Sequence, residues 1–207
     1  MCALLNRPVY MEQLISFREK QIIKVVTGIR RCGKSTLFDL YCEYLRSEGV
    51  TDDQIIRINL EDPDYHDIQD YMQLFNLIKE QLRTDKMNYI FIDEVQTVPN
   101  FQKAVDGLFI KPNCDVYIAG SNAYILSGGL ATLLSGRYVE IRMLPLSFKE
   151  YISALEDDTD LQMKYQRYIQ SGSFPYIIIP PPRHPCVFGR DLYVYRFEGH
   201  CSKAPYI

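Results

Sequence analysis

Residues 28–35 read Gly-Ile-Arg-Arg-Cys-Gly-Lys-Ser, and Thr36 follows. An apolar run, IIKVVT over 22–27, leads into this stretch, and a segment with helical spacing leaves it. That order of strand, glycine loop and helix is what G-x-x-x-x-G-K-[ST] requires to work as a phosphate cradle. Gly28 and Gly33 let the backbone wrap closely round an anion. The N–H groups of Arg30, Arg31, Cys32 and Gly33 and the helix N-terminus then face negative charge. Lys34 supplies a compact cation for the β- and γ-phosphates, and the Ser35 hydroxyl is a Mg²⁺ ligand. The side chains of Arg30 and Arg31 either touch phosphate or sit solvated beside it. A chance match somewhere in a chain of this length is on the order of a few in a thousand.

Five strands are expected, at 22–27, 55–60, 89–92, 116–119 and 138–143. The first, third and fourth are almost continuously apolar, as in strands covered on both faces. The other two alternate: Ile56, Ile58 and Leu60 share one face, and Val139, Ile141 and Met143 share another. Period-2 alternation places these two at the sheet edges. Helical patterns at 8–19, 34–47, 67–82, 101–110, 122–134 and 148–171 lie before, between and after the strands, the last with a charged break at 156–160. Strand–helix alternation with short loops is the pattern of a parallel βαβ sheet, an α/β three-layer sandwich.

Composition narrows the function classes. A net charge of −3 gives no bulk electrostatic sign of nucleic-acid binding. The N-terminus has no signal pattern, and no apolar run approaches the ~18 residues of a membrane span. Six scattered cysteines without a C-x-x-C pair fit free thiols in a reducing cytoplasm.

Three further stretches carry chemistry. Tyr89-Ile-Phe-Ile-Asp93-Glu94 is an apolar strand ending in two carboxylates. At the C-terminal edge of a parallel strand they face the ligand crevice, Asp93 toward Mg²⁺ and Glu94 toward the attacking water. Ser121-Asn122 ends the next strand, where a polar side chain meets the γ-phosphate or simply makes a turn. Arg137 precedes the fifth strand. It either reaches a γ-phosphate, in cis or from a neighbouring subunit, or pairs on the surface with an acid such as Glu140. Glu61-Asp62 either lines the crevice or, the favoured reading, forms a helix-cap region.

The blocks VVTGIRRCGKSTL, YIFIDEVQ and GSNAYILSGGLATLLSGRYVEIRMLPLSFKEY together resemble a large group of prokaryotic AAA-type P-loop ATPases of poorly known role, over residues 5–179. The resemblance implies an AAA-like strand order of 5-1-4-3-2. It implies that Gly28 to Thr36 form the phosphate loop, with Asp93 and Glu94 as the metal and water pair. Ser121-Asn122 match the first sensor, and Arg137 lies where an arginine finger is often found. A homo-oligomer is an open expectation.

On this reading 1–20 is a helical lead-in, 21–147 the ATPase core, and 148–179 a helical extension toward a C-terminal domain. Members of the group continue from a GGFP-like turn, here Gly172-Ser-Phe-Pro175, into a domain that often begins like YLDGIY…LKDIV. Residues 180–207 do not match it. Codons exist for CVFGRDLYVYRFEGHCSKAPYI (186–207) that, one base later, spell AYLDGIYTSTDLKDIVLKHHT. The expectation is a frameshift near 176–185, a non-native or disordered tail and a missing second domain.

The expected function is an ATP·Mg-binding module that hydrolyses ATP slowly. Two alternatives stay open: a nucleotide-gated or DNA-associated switch with little turnover, and a P-loop kinase acting on a small molecule. The Asp93-Glu94 pair argues against the kinase.

Overall fold

The computed structural model describes residues 7–120, 134–155 and 160–175. Five strands form one parallel sheet: β1 (Ile23–Gly28), β2 (Ile55–Asn59), β3 (Asn88–Asp93), β4 (Cys114–Gly120) and β5 (Tyr138–Met143). Their order is β2-β3-β4-β1-β5, with every neighbouring pair parallel. This is the expected 5-1-4-3-2 order read from the other edge. Every residue of β1 and β3 is buried, while β2 and β5 are half-exposed at the edges, as their alternation predicts.

Helices cover both faces. On one lie α1 (Pro8–Ser16) and α2 (Lys34–Ser47). Leu37, Phe38, Tyr41, Cys42 and Leu45 recur at helical spacing and pack on Val26, Phe91, Tyr117 and Ile141. On the other lie α3 (Tyr71–Gln81) and α4 (Phe101–Phe109), where Leu74, Ile78, Val105 and Leu108 pack on Val25, Ile58, Ile90 and Ile118. Burial of such a side chain stabilises by about 1.5–3 kcal/mol each. After β5, α5 (Phe148–Ser153) and α6 (Leu161–Ser171) lean together through Phe148, Tyr151 and Tyr168.

Two corrections to the sequence reading concern helix ends. The third helix starts at Tyr71, not 67, because the Asp70 side chain accepts from the N–H groups of Met72 and Gln73 and so caps it there. The first helix stops at Ser16, and the chain turns through Glu19 at φ 56°. That turn is pinned to the sheet. Buried Lys24 of β1 pairs with buried Asp115 of β4, whose carboxylate also accepts from Glu19 N–H and the Tyr117 hydroxyl, each at 2.8 Å.

The expected 122–134 helix, apart from Leu134, lies outside the described residues, as does the 180–207 tail. Among the described residues no helix is long and apolar enough to cross a membrane, and Cys32, Cys42 and Cys114 are free thiols.

Candidate nucleotide-binding site

β1 is the strand from which the glycine loop springs. Gly28 ends it in a fully walled position: a Cβ there would lie 2.5 Å from the Met143 carbonyl oxygen and 2.8 Å from Cys32 Sγ. Gly33 closes the loop at φ 101°, a left-handed conformation that glycine adopts at least cost. Arg31 is also left-handed, at φ 69°. α2 begins at the next residue, and no side chain caps it. Its first N–H groups and the positive end of a 14-residue helix dipole open onto the loop.

Lys34 is only 4% exposed, folded into the loop it follows. Its Nζ donates to the carbonyl oxygens of Gly28 at 3.3 Å and Ile29 at 3.5 Å, and lies 3.7 Å from Glu94 Oε1. A buried ammonium held by two long carbonyl contacts and a distant carboxylate is under-neutralised, which suits an anionic ligand. Ser35 is exposed and Thr36 half-buried. Cys32 is fully buried, and burial pushes its thiol up. Its contribution to the loop is backbone: its carbonyl accepts from Arg7 Nη1 at 3.3 Å.

Asp93 is fully buried at the end of β3, accepting from the Glu94 N–H at 3.0 Å. Glu94 itself sits at φ 50°, and Gln96 Nε2 donates to its Oε2 at 2.5 Å. Strained backbone beside two acids is common at functional sites. Lys34, Asp93 and Glu94 are therefore brought together. Ser35 joins them through Arg57 of β2, whose Nη2 reaches the Ser35 carbonyl at 3.3 Å and Asp93 Oδ2 at 3.4 Å.

Among the described residues no group of three or more His, Cys, Asp or Glu stands ready to hold a metal. One hydroxyl and one carboxylate beside a phosphate cradle are nonetheless the oxygen donors Mg²⁺ takes when phosphates complete its shell. The donor set fits that ion.

Other expected residues stand apart. Arg30 is largely exposed and pairs with Glu61 at 3.0 Å across the mouth of the loop. Asp62 does serve as a cap, its carboxylate accepting from Asp64 N–H at 3.1 Å. Arg137 precedes β5, at the end of the sheet opposite Gly28: its carbonyl accepts from Ile23 N–H, the first residue of β1. Six strand residues, about 20 Å, separate it from the level of the loop, which rules out reach in cis. Its surface partner is Asp106, not Glu140; Glu140 instead accepts from the Thr27 hydroxyl at 2.6 Å. Ser121 and Asn122 lie outside the described residues.

Two arginines escaped the sequence reading. Arg7 is 3% exposed and ties three segments together: Cys32 of the loop, the Leu144 carbonyl at 2.8 Å, and Glu150 of α5 in a 2.6 Å ion pair. Nothing local marks it, since its partners lie 25 to 143 residues away in sequence. Arg57 falls within the expected edge strand 55–60, off the face shared by Ile56, Ile58 and Leu60. The expected strand order already set it one strand from Asp93, and that was the available signal.

A parallel 2-3-4-1-5 sheet with this loop after β1 and an acid pair after β3 defines the nucleotide-binding P-loop class of AAA type. A family model described as an AAA domain matches residues 20–152, more than half of the chain. The chain belongs to that family. An uncharacterized protein of Haemophilus influenzae is 41% identical over 181 residues, covering 86% of this chain and 45% of its own length. An uncharacterized protein of Methanocaldococcus jannaschii, MJ1544, is 31% identical over 168 residues, 76% of this chain and 36% of its own. The chain thus spans less than half the length of these relatives. Two solved structures share the fold. The Walker-type ATPase PABY2304 of Pyrococcus abyssi gives a TM-score of 0.57 at 14% identity, over 84% of this chain and 65% of that one. AMPPCP-bound DnaA of Aquifex aeolicus gives 0.53 at 12%, over 81% and 56%.

Proposed function

We propose that the chain binds ATP with Mg²⁺ at the 28–36 loop and hydrolyses it slowly. The observation that carries this reading is the buried Lys34 ammonium at an uncapped helix N-terminus, 3.7 Å from Glu94, which follows buried Asp93 at the end of β3.

Backbone N–H groups of residues 30–33 and the α2 terminus hold the phosphates, with Lys34 leaving its two carbonyls for them. Ser35 and Asp93 hold Mg²⁺, which supplies positive charge against the phosphates. Glu94, steadied by Gln96, takes a proton from the attacking water. The oxygen of that water forms a bond to the γ-phosphorus, and the bond from γ-phosphorus to the β–γ bridging oxygen breaks. Inorganic phosphate and ADP leave. Asn122, with Ser121, is assigned the sensor of the γ-phosphate. Arg137, too far away in cis, is assigned to a neighbouring copy's site.

Glu94→Gln keeps the shape of the side chain and one acceptor oxygen but cannot accept the proton, so it should bind nucleotide as well as wild type and lose turnover by at least 100-fold, on the order expected for a general base. Single-turnover assays with labelled ATP read both. Unchanged hydrolysis in Glu94→Gln contradicts the role. Equal binding without hydrolysis in wild type would favour the switch reading.

A further inference from the structure

The metal-ligand carboxylate is already engaged by a cation. Arg57 projects from β2, one strand over from Asp93, with Nη2 at 3.4 Å from Asp93 Oδ2. The same nitrogen donates to the Ser35 carbonyl at 3.3 Å, so Arg57 bridges the two residues expected to hold Mg²⁺. On its other side Nε lies 3.4 Å from Asp39 Oδ1, and the guanidinium rests over the Phe38 ring at 5.2 Å. Among the described residues buried Nη1 has no hydrogen-bond partner.

These distances matter. A committed arginine–carboxylate pair closes to about 2.7–2.9 Å, often in a two-pronged fork. Arg57 makes single, long contacts to two carboxylates at once. Asp93 is fully buried and has no solvent to stabilise its charge, whereas Asp39 is half-exposed on the surface of α2. Arg57 is therefore poised between an inner and an outer acid, with the aromatic ring as a platform common to both positions.

We infer that Arg57 is a resident counter-cation for Asp93 that competes with Mg²⁺, yielding the carboxylate and pairing with Asp39 when the divalent ion is bound. Arg57 is a positioning residue: it acts through Asp93 and sets how much Mg²⁺ is needed to complete the site. Two cations near one buried carboxylate repel, so each is bound at the expense of the other. This rests on the proposed ATP·Mg reading of the loop.

The test is the Mg²⁺ concentration that half-saturates the Mg²⁺-dependent change in fluorescence of bound mant-ATP, in the full chain. Arg57→Gln removes the competitor and should lower that concentration about ten-fold or more, by analogy with the effect of a neighbouring arginine on carboxylate protonation. Asp39→Asn, a surface change, removes the outer partner and should raise it. Arg57→Lys, which keeps the charge, should stay near wild type. Thermal unfolding without nucleotide checks that each variant folds. Equal half-saturation in wild type and Arg57→Gln, or a higher one in Arg57→Gln, overturns the inference. Parallel titrations in EDTA and in Mg²⁺ separate the two failures. If wild type binds mant-ATP in neither, the ATP·Mg reading itself falls.

Discussion

Single residues in the loop answer to their burial. Cys32 lies in a cation-rich loop beside Lys34, surroundings that on their own lower a thiol. The fold shields it completely, and burial raises its thiol against the lowering effect of Lys34 and Arg7. Cys42 on α2 is pushed up to about 11 by burial, from an ordinary 9.0. Both thiols are protonated at neutral pH, and the thiolate is the nucleophile. Iodoacetamide mapping by mass spectrometry at pH 8 should leave Cys32 and Cys42 largely unmodified in the native protein and label both in urea. The same shift has a consequence for stability. The unfolded Cys42 thiol gives up its proton near pH 9, the folded one only near 11. The unfolded state thus binds fewer protons between those values, and stability falls as pH rises through them. Cys42 contributes its full share below pH 9. Urea midpoints from pH 8 to 11 should decline, and less steeply in Cys42→Ala.

Elements are fastened by ionic groups that no local pattern announces. Lys24 lies inside an otherwise apolar strand, IKVVTG, and read alone it breaks the case for a central strand. It is tolerated because β4, its parallel neighbour, brings Asp115 against it, and because the Lys20 carbonyl accepts from its Nζ at 2.9 Å. Removing one partner leaves the other charged and buried. Asp115→Ala should destabilise by about 3–5 kcal/mol, while replacing both with apolar residues of similar volume should cost far less. Urea denaturation of the single and double variants tests this. A loss in the double variant equal to the sum of the two single losses would mean the pair is not coupled. Strand positions, by contrast, were readable from sequence with shifts of one or two residues, since continuous or alternating apolar runs are set by burial alone. The helix starts at Pro8, Lys34, Phe101 and Phe148 were readable too, but that of the third helix was not, because it depends on which of several acids caps the chain. Asp67 and Asp70 both suit that role, and only Asp70 takes it.

Over the whole molecule, the apolar patterns separated the buried strands from the two edge strands, and the resemblance implied the order that the sheet has. The core of the site was readable too, since Gly28, Gly33, Lys34 and Asp93 are tied to strand ends by spacing. What spacing cannot show is a partner from a remote strand. Arg57, Arg7 and the Asp106 that holds Arg137 all depend on three-dimensional neighbours. The sensor at Ser121 and Asn122 and the frameshift near 176–185 lie outside the described residues and stand as proposals. Arg137 faces away from its own loop. Its use as a finger requires a second copy, so turnover per chain should rise with protein concentration in wild type and stay flat in Arg137→Ala. A concentration-independent rate removes the finger.

The central claim is that Lys34 and the loop around it hold the phosphates of ATP. Titration calorimetry of wild type and Lys34→Ala with ATP·Mg²⁺ tests it most directly. A buried phosphate that loses its cation loses a charge-assisted contact, so the variant should bind more than ten-fold more weakly, or not measurably, while its unfolding temperature stays close to wild type. Equal affinity in the two proteins would contradict the claim.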